Sequence, residues 1–132
     1  MKGDEKMMRG KKEVRVGNTR ICLGEDNILR IATFGDMDEE TAKAIYGACV
    51  EMTAPIAGKV NLLIDLNHCG KVSVKSRRFG QVEFEKDDTG KVALIGMHPV
   101  ARVLASFLIG MTRKKDLCFF KTEEEALAWL KA

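Results

Sequence analysis

Residues 60–66 read V-N-L-L-I-D-L, five aliphatic side chains in seven positions. A run so short and so apolar fits a strand covered on both faces, the environment of interior strands in parallel sheets, better than it fits a helix. K-V-A-L-I-G at Lys91–Gly96 repeats the pattern. The two runs are expected to lie side by side and to point the same way, because parallel strands need a crossover and the chain between them reads as helical.

Ser73 is placed to cap that intervening helix, which carries Val74, Arg77, Arg78, Phe79, Val82 and Phe84 to about Lys86. Asn67–Val72 before it reads as a loop, and Asp87–Gly90 after it as a turn. Upstream, Asp36 with Glu39 three residues on resembles a capping box. The helix it opens carries Ala42, Ile45, Cys49 and Met52 at three- and four-residue steps, and Pro55 ends it. Further back, Glu13–Val16, Arg20–Leu23 and Ile28–Phe34 are β-rich runs broken by Gly17-Asn18, by Gly24–Asn27 and finally by Gly35. They predict an antiparallel meander. Downstream, Pro99 suits the first turn of a helix running to about Met111, with Val100, Val103, Leu104, Phe107, Leu108 and Met111 as its core face. Leu117–Phe120 is a last strand, and Thr122 with Glu125 caps a closing helix bearing Ala126, Leu127, Trp129 and Leu130. The fold class is therefore α/β: a mixed, mostly parallel sheet with an N-terminal antiparallel meander and about four helices.

The 132 residues suit one domain, read as 13–132, preceded by a flexible basic tail over 1–12. Met1–Arg15 holds six basic and three acidic residues, so the net charge of +3 belongs to this segment and the body is neutral. A neutral body argues against nucleic acid as a partner, since phosphate binding draws its affinity from a basic surface. Cys22, Cys49, Cys69 and Cys118 form no C-x-x-C pair, and charges interrupt the N-terminus where a signal peptide needs an apolar run. A reducing cytoplasm is the expected location. The longest apolar stretch, Val103–Met111, is too short for stable membrane insertion.

K-V-A-L-I-G (Lys91–Gly96), P-V-A-R-V-L-A-S-F-L (Pro99–Leu108), F-F-K-T-E-E-E-A-L-A-W-L (Phe119–Leu130) and I-L-R-I-A-T-F-G-D-M-D-E-E (Ile28–Glu40) together resemble the SpoIIAA-like family of STAS/Sec14-type domains. The resemblance implies a STAS-like fold and no established enzyme activity. Anti-sigma factor antagonists of that type switch on a phosphorylated serine in a D-S-S/T-like stretch after the central strand. Here that region is D-L-N-H-C-G-K-V-S-V-K-S (Asp65–Ser76), which lacks the motif, and Ser73 falls nearest the switch position.

In open α/β sheets ligands bind outside the carboxyl ends of the parallel strands. The candidate ligand-binding residues expected at that rim are Asp36, His68, Cys69, Lys71, Ser73, His98 and Arg102. A zinc site would draw on His68, Cys69 and His98 with Asp65 or Asp36, but the spacing is not that of compact ligand pairs, and adjacent residues in extended chain point apart. No metal or cofactor is expected. A hydrolase would use Cys69 as nucleophile with His98 or His68 as base, yet no orienting partner or nucleophile elbow is visible. An anion could dock at the helix beginning near Ser73, beside Lys71, Lys75, Arg77 and Arg78. The helix from Pro99 is apolar nearly all round, leaving Arg102, Ser106 and Gly110 to meet water. It is expected to be buried, to border an apolar ligand cavity as the Sec14-type resemblance implies, or to form a homodimer contact. The sequence thus favours a non-catalytic binding or regulatory module for a small apolar, amphipathic or anionic ligand or a protein partner. A small Cys/His or metal-assisted enzyme and a phospho-switch at Ser73 or Ser76 are its alternatives.

Overall fold

The computed structural model of the protein describes residues 12–132. Except for Lys12, which opens the first strand, the expected basic tail lies outside the described residues. In chain order the elements are β1 (Lys12–Val16), β2 (Thr19–Leu23), β3 (Leu29–Met37), α1 (Glu39–Thr53), β4 (Val60–Val72), α2 (Val74–Phe84), β5 (Thr89–Ile95), α3 (Pro99–Met111), β6 (Leu117–Phe120) and α4 (Glu123–Lys131). The strands form one sheet in the order β1-β2-β3-β4-β5-β6. β1–β2 and β2–β3 pair antiparallel, and every later neighbour pairs parallel. The two aliphatic runs lie side by side as expected, Leu62 opposite Val92 and Ile64 opposite Leu94.

Crossovers of one hand that always step the same way across a sheet leave their helices on one face. Accordingly Ile45 and Met52 of α1, Phe84 of α2 and Ala101 and Ala105 of α3 share a core with Ile31, Ile64 and Leu94. Among the described elements α4 covers part of the other face, where Ala126 and Leu130 meet Leu63, Ala93 and Ile95. α1 buries the four side chains its spacing predicts, Ala42, Ile45, Cys49 and Met52. Thr122 caps α4, accepting from the Glu125 amide at 3.2 Å and donating to its carboxylate at 3.1 Å.

Four boundary readings are corrected. β3 does not stop at Gly35 but runs to Met37, so the cap of α1 is Asp38, which accepts from the Thr41 amide at 2.8 Å. Asp36 lies in the strand. Residues 67–72 are not a loop, because they continue β4 and pair with the end of β3, His68 with Phe34 and Val72 with Met37. Each strand supplies the backbone partners that keep the other extended, a long-range effect that local turn chemistry does not reveal. Thr89 and Gly90 likewise belong to β5 and not to the turn before it.

The facing of α3 is corrected too. Ala101 and Ala105 are buried, Leu104 and Leu108 are half-buried, and Val100, Val103 and Phe107 are more than half exposed. The side chain of Met111, assigned to the core from the sequence, lies outside what is described. Small residues face inward because the helix lies close to the sheet: a Cβ on Gly96 would fall 2.5 Å from that of Ala101.

The β2–β3 turn is tied to α4 electrostatically. Asp26 holds Arg30 through two bonds of 2.9 and 3.1 Å, accepts from the Ile28 amide, and lies 3.6 Å from Lys131. Its hydrogen bond to Arg30 lowers its pKa to about 2. The unfolded carboxyl titrates near 3.9, so the stabilisation is complete above about pH 4 and is lost as the pH falls from there through 2. Asp26→Asn is expected to cost about 1–2 kcal/mol at neutral pH and less than about 0.5 kcal/mol near pH 2, where the native carboxyl is half protonated, read from urea unfolding at the two pH values.

Candidate functional site

The strand order never reverses, so the sheet has no switch point to open a crevice at the carboxyl rim, and the residues expected there divide among separate places. Asp36 and Lys71 do meet. β4 carries an extra residue opposite each of two places in β3, between Ala32 and Phe34 and between Gly35 and Met37. In the second of these bulges the Asp36 carboxylate accepts from the Lys71 amide at 2.8 Å. Gly35, at φ 78°, adopts the left-handed backbone there.

His98 and Arg102 also come together, lining with Met97 and Lys121 a hollow of about 350 Å³ beyond the end of β5. The backbone donors nearby are largely spent. His98 Nδ1 accepts from the Val100 amide at 3.2 Å, making His98 the cap of α3, and Asn67 takes the Met97 amide at 2.8 Å. The hollow is thus an open basic recess.

His68 and Cys69 are separated by the pleat. His68 stacks on Phe34, ring centres 4.9 Å apart and planes within 6°, on the face opposite α1–α3. Cys69 points to the other face and packs against the main core. Burial pushes the Cys69 thiol up, so it stays protonated near neutral pH. The Cys69–His68 nucleophile–base pair is therefore not assembled, and His98 is engaged as a cap. Among the described residues no three His, Cys, Asp or Glu side chains gather as a metal site.

Ser73 is exposed and caps α2, accepting from the Ser76 amide at 3.1 Å and donating to the Ser76 hydroxyl at 2.8 Å. Ser76, buried, donates its own hydroxyl hydrogen bond to the Met37 carbonyl at 3.3 Å. This chain of hydroxyls ties the start of α2 to the end of β3. Lys71, Lys75 and Arg78 are exposed around it, while Arg77 turns to α3 and lies 5.0 Å over the Phe107 ring.

Beneath that contact lies an apolar cavity of about 60 Å³ between the sheet and α1, α2 and α3. Its walls include Ile31, Ile64, Met37, Phe84, Leu104 and Leu108, and its charged lining residue is Arg77. Cys69, Thr33 and Ser76 also reach it. Tyr46 of α1 closes one end, packed on Phe79 and Phe84 at 5.4 and 6.3 Å. Burial raises the pKa of its hydroxyl. On the far side of Tyr46 a second pocket, about 220 Å³, lies at the amino ends of the parallel strands between Cys49, Thr53, Leu29, Leu62 and Glu83. Of Asp36, His68, Cys69, Lys71, Ser73, His98 and Arg102 only Cys69 lines the inner cavity, joined there by Arg77, which the sequence placed beside a candidate anion site. Tyr46, Thr33 and Met37 were missed; the one available signal was a lone tyrosine beside Ile45 on the apolar side of an amphipathic helix.

A family model described as SpoIIAA-like matches residues 28–131. Among curated proteins none matches the chain. An uncharacterised protein of the DUF3478 family with a SpoIIAA-like fold, from Shewanella loihica PV-4, superposes with a TM-score of 0.61 at 17% identity, covering 91% of each chain. The anti-sigma factor antagonist SpoIIAA in its unphosphorylated form superposes with a TM-score of 0.58 at 14% identity, over 86% of this chain and 98% of that one. At such identities the likeness is one of fold.

Proposed function

The chain belongs to the SpoIIAA-like family, and from that premise we propose that it is a non-catalytic binding module whose ligand is a small amphipathic molecule, its apolar part held between the sheet and helices α2 and α3. The observation that carries this reading is the inner cavity, lined by aliphatic and aromatic side chains with Arg77 as its charged residue. An apolar ligand body gains the free energy of leaving water there, and an anionic or polar end gains Arg77. The cavity is far below the several hundred Å³ that ligand sites usually enclose, so full occupation requires α2 and α3 to part. The Arg77–Phe107 contact that spans them is worth about 0.5–1 kcal/mol at an exposed site, and the packing of Leu104 and Leu108 against the core is given up with it. The four free cysteines fit a cytoplasmic, reducing setting. No described helix is long and apolar enough to cross a membrane.

The test uses anilinonaphthalene sulfonate, an aromatic body with one anionic group. Its fluorescence is expected to saturate at a single site on the native protein, and Leu104→Phe, which fills the cavity, to weaken binding about tenfold. Linear, unsaturable binding, or a Leu104→Phe variant that binds as well as the parent, refutes the reading.

A specific observation favours self-association as a second property. Val100, Val103 and Phe107 of α3 expose 53–58% of their surface, with Met97 at 76% beside them. We propose a second copy of the chain as the partner of this face. Sedimentation velocity across a concentration series is expected to read a dimer that Val103→Asp dissolves; a monomer at every concentration refutes it.

A further inference from the structure

The inner cavity and the second pocket lie end to end along the same strands. On β3 the lining steps from Leu29 in the second pocket to Ile31 and Thr33 in the inner cavity. On β4 it steps from Val60 and Leu62 to Ile64 and Leu66. These are alternate residues of one sheet face, so the two spaces share a floor. α1 roofs both, with Ile45 on one side and Cys49 and Thr53 on the other. Tyr46 belongs to the lining of both spaces, and its ring, wedged on Phe79 and Phe84, stands between them.

We infer that Tyr46 is the residue that sets the length of apolar chain this protein accepts, acting as a partition in what is otherwise one groove running beneath α1 and α2. The inference rests on the cavity being the ligand site. With tyrosine in place a chain entering from the Arg77 end stops at the phenol ring. Without it the 220 Å³ of the second pocket joins the path. The partition is the ring itself, so the hydroxyl is dispensable for it.

The experiment measures, by calorimetric titration, the affinity of the full chain for straight-chain primary alcohols from hexanol to hexadecanol, uncharged probes for which the Arg77 charge does not decide the outcome. For the parent, affinity is expected to rise about fourfold with each added methylene, the transfer gain of a buried CH₂, and then to level off. Tyr46→Ala moves the levelling point to longer chains, Tyr46→Phe leaves it in place, and Tyr46→Trp keeps it in place or shortens it. Should Tyr46→Ala fail to fold, Tyr46→Leu makes the same comparison with a smaller cavity change. A levelling point that stays put in the folded alanine or leucine variant overturns the partition while the cavity remains the binding site. A parent protein that binds none of the alcohols overturns both.

Discussion

Ala105→Asp is expected to unfold the protein, while Val103→Asp, two positions earlier on the same helix, leaves the unfolding free energy of the monomer within about 0.5 kcal/mol of the parent. Ala105 is 1% exposed and sits in the main core, where a carboxylate would have neither water nor a cationic partner. Such a group costs several kcal/mol even after it takes up a proton, on the order of 4 kcal/mol or more, against a stability that for domains of this size is about 5–15 kcal/mol. Val103 is 58% exposed, so its replacement keeps the new charge hydrated and leaves the core intact. Urea unfolding at low protein concentration separates the two variants. The sequence alone puts Val103 on the core face and leaves Ala105 undistinguished on a helix apolar nearly all round.

Gly70→Ala carries the second large effect, a loss of about 2 kcal/mol. A Cβ on Gly70 would overlap the Asp36 carboxylate and press on the backbone of Gly35 and Asp36 at 3.0 and 3.1 Å. Something must yield. If the carboxylate swings away, the Lys71 amide loses its charged acceptor; if the backbone moves, the pairing of Phe34 with His68 and of Met37 with Val72 shifts with it. The two routes are told apart by a double-mutant cycle with Asp36→Ala. Removing the carboxylate first is expected to reduce the cost of Gly70→Ala by more than half, a coupling that additive sites do not have. Equal costs in both backgrounds would assign the strain to the backbone contacts alone.

These variants mark where the sequence was readable and where it was not. Val60–Leu66 and Lys91–Ile95 could be read because continuous aliphatic runs have one comfortable environment, and α1 because its apolar residues recur at helical spacing. Ser73, Thr122 and Pro99 could be read because capping is a local matter of a few residues. The bulges could not, since an extra residue in β4 has meaning only against β3, which lies thirty-five residues from Lys71 at Asp36. The facing of α3 could not, because a helix apolar on every side carries no period, and the choice fell to size: alanines went where the sheet was close. The candidate site was the least legible part. Reasoning from strand ends gathered charged and nucleophilic residues at one rim, but the cavity is built from Ile31, Ile64, Leu104 and Leu108, residues that in sequence look like ordinary core, and its partition from a tyrosine that only the packing of α1 on α2 places between two spaces.

The strand order also bears on how the protein is made. Each new strand docks beside the one synthesised just before it, so no strand waits for a distant partner and no earlier pairing has to open to admit a later one. Loop-closure costs stay near the minimum a parallel sheet allows, which favours rapid folding for this class. On a ribosome, the meander can form first and serve as the template on which every subsequent β–α unit is laid down in the order of translation.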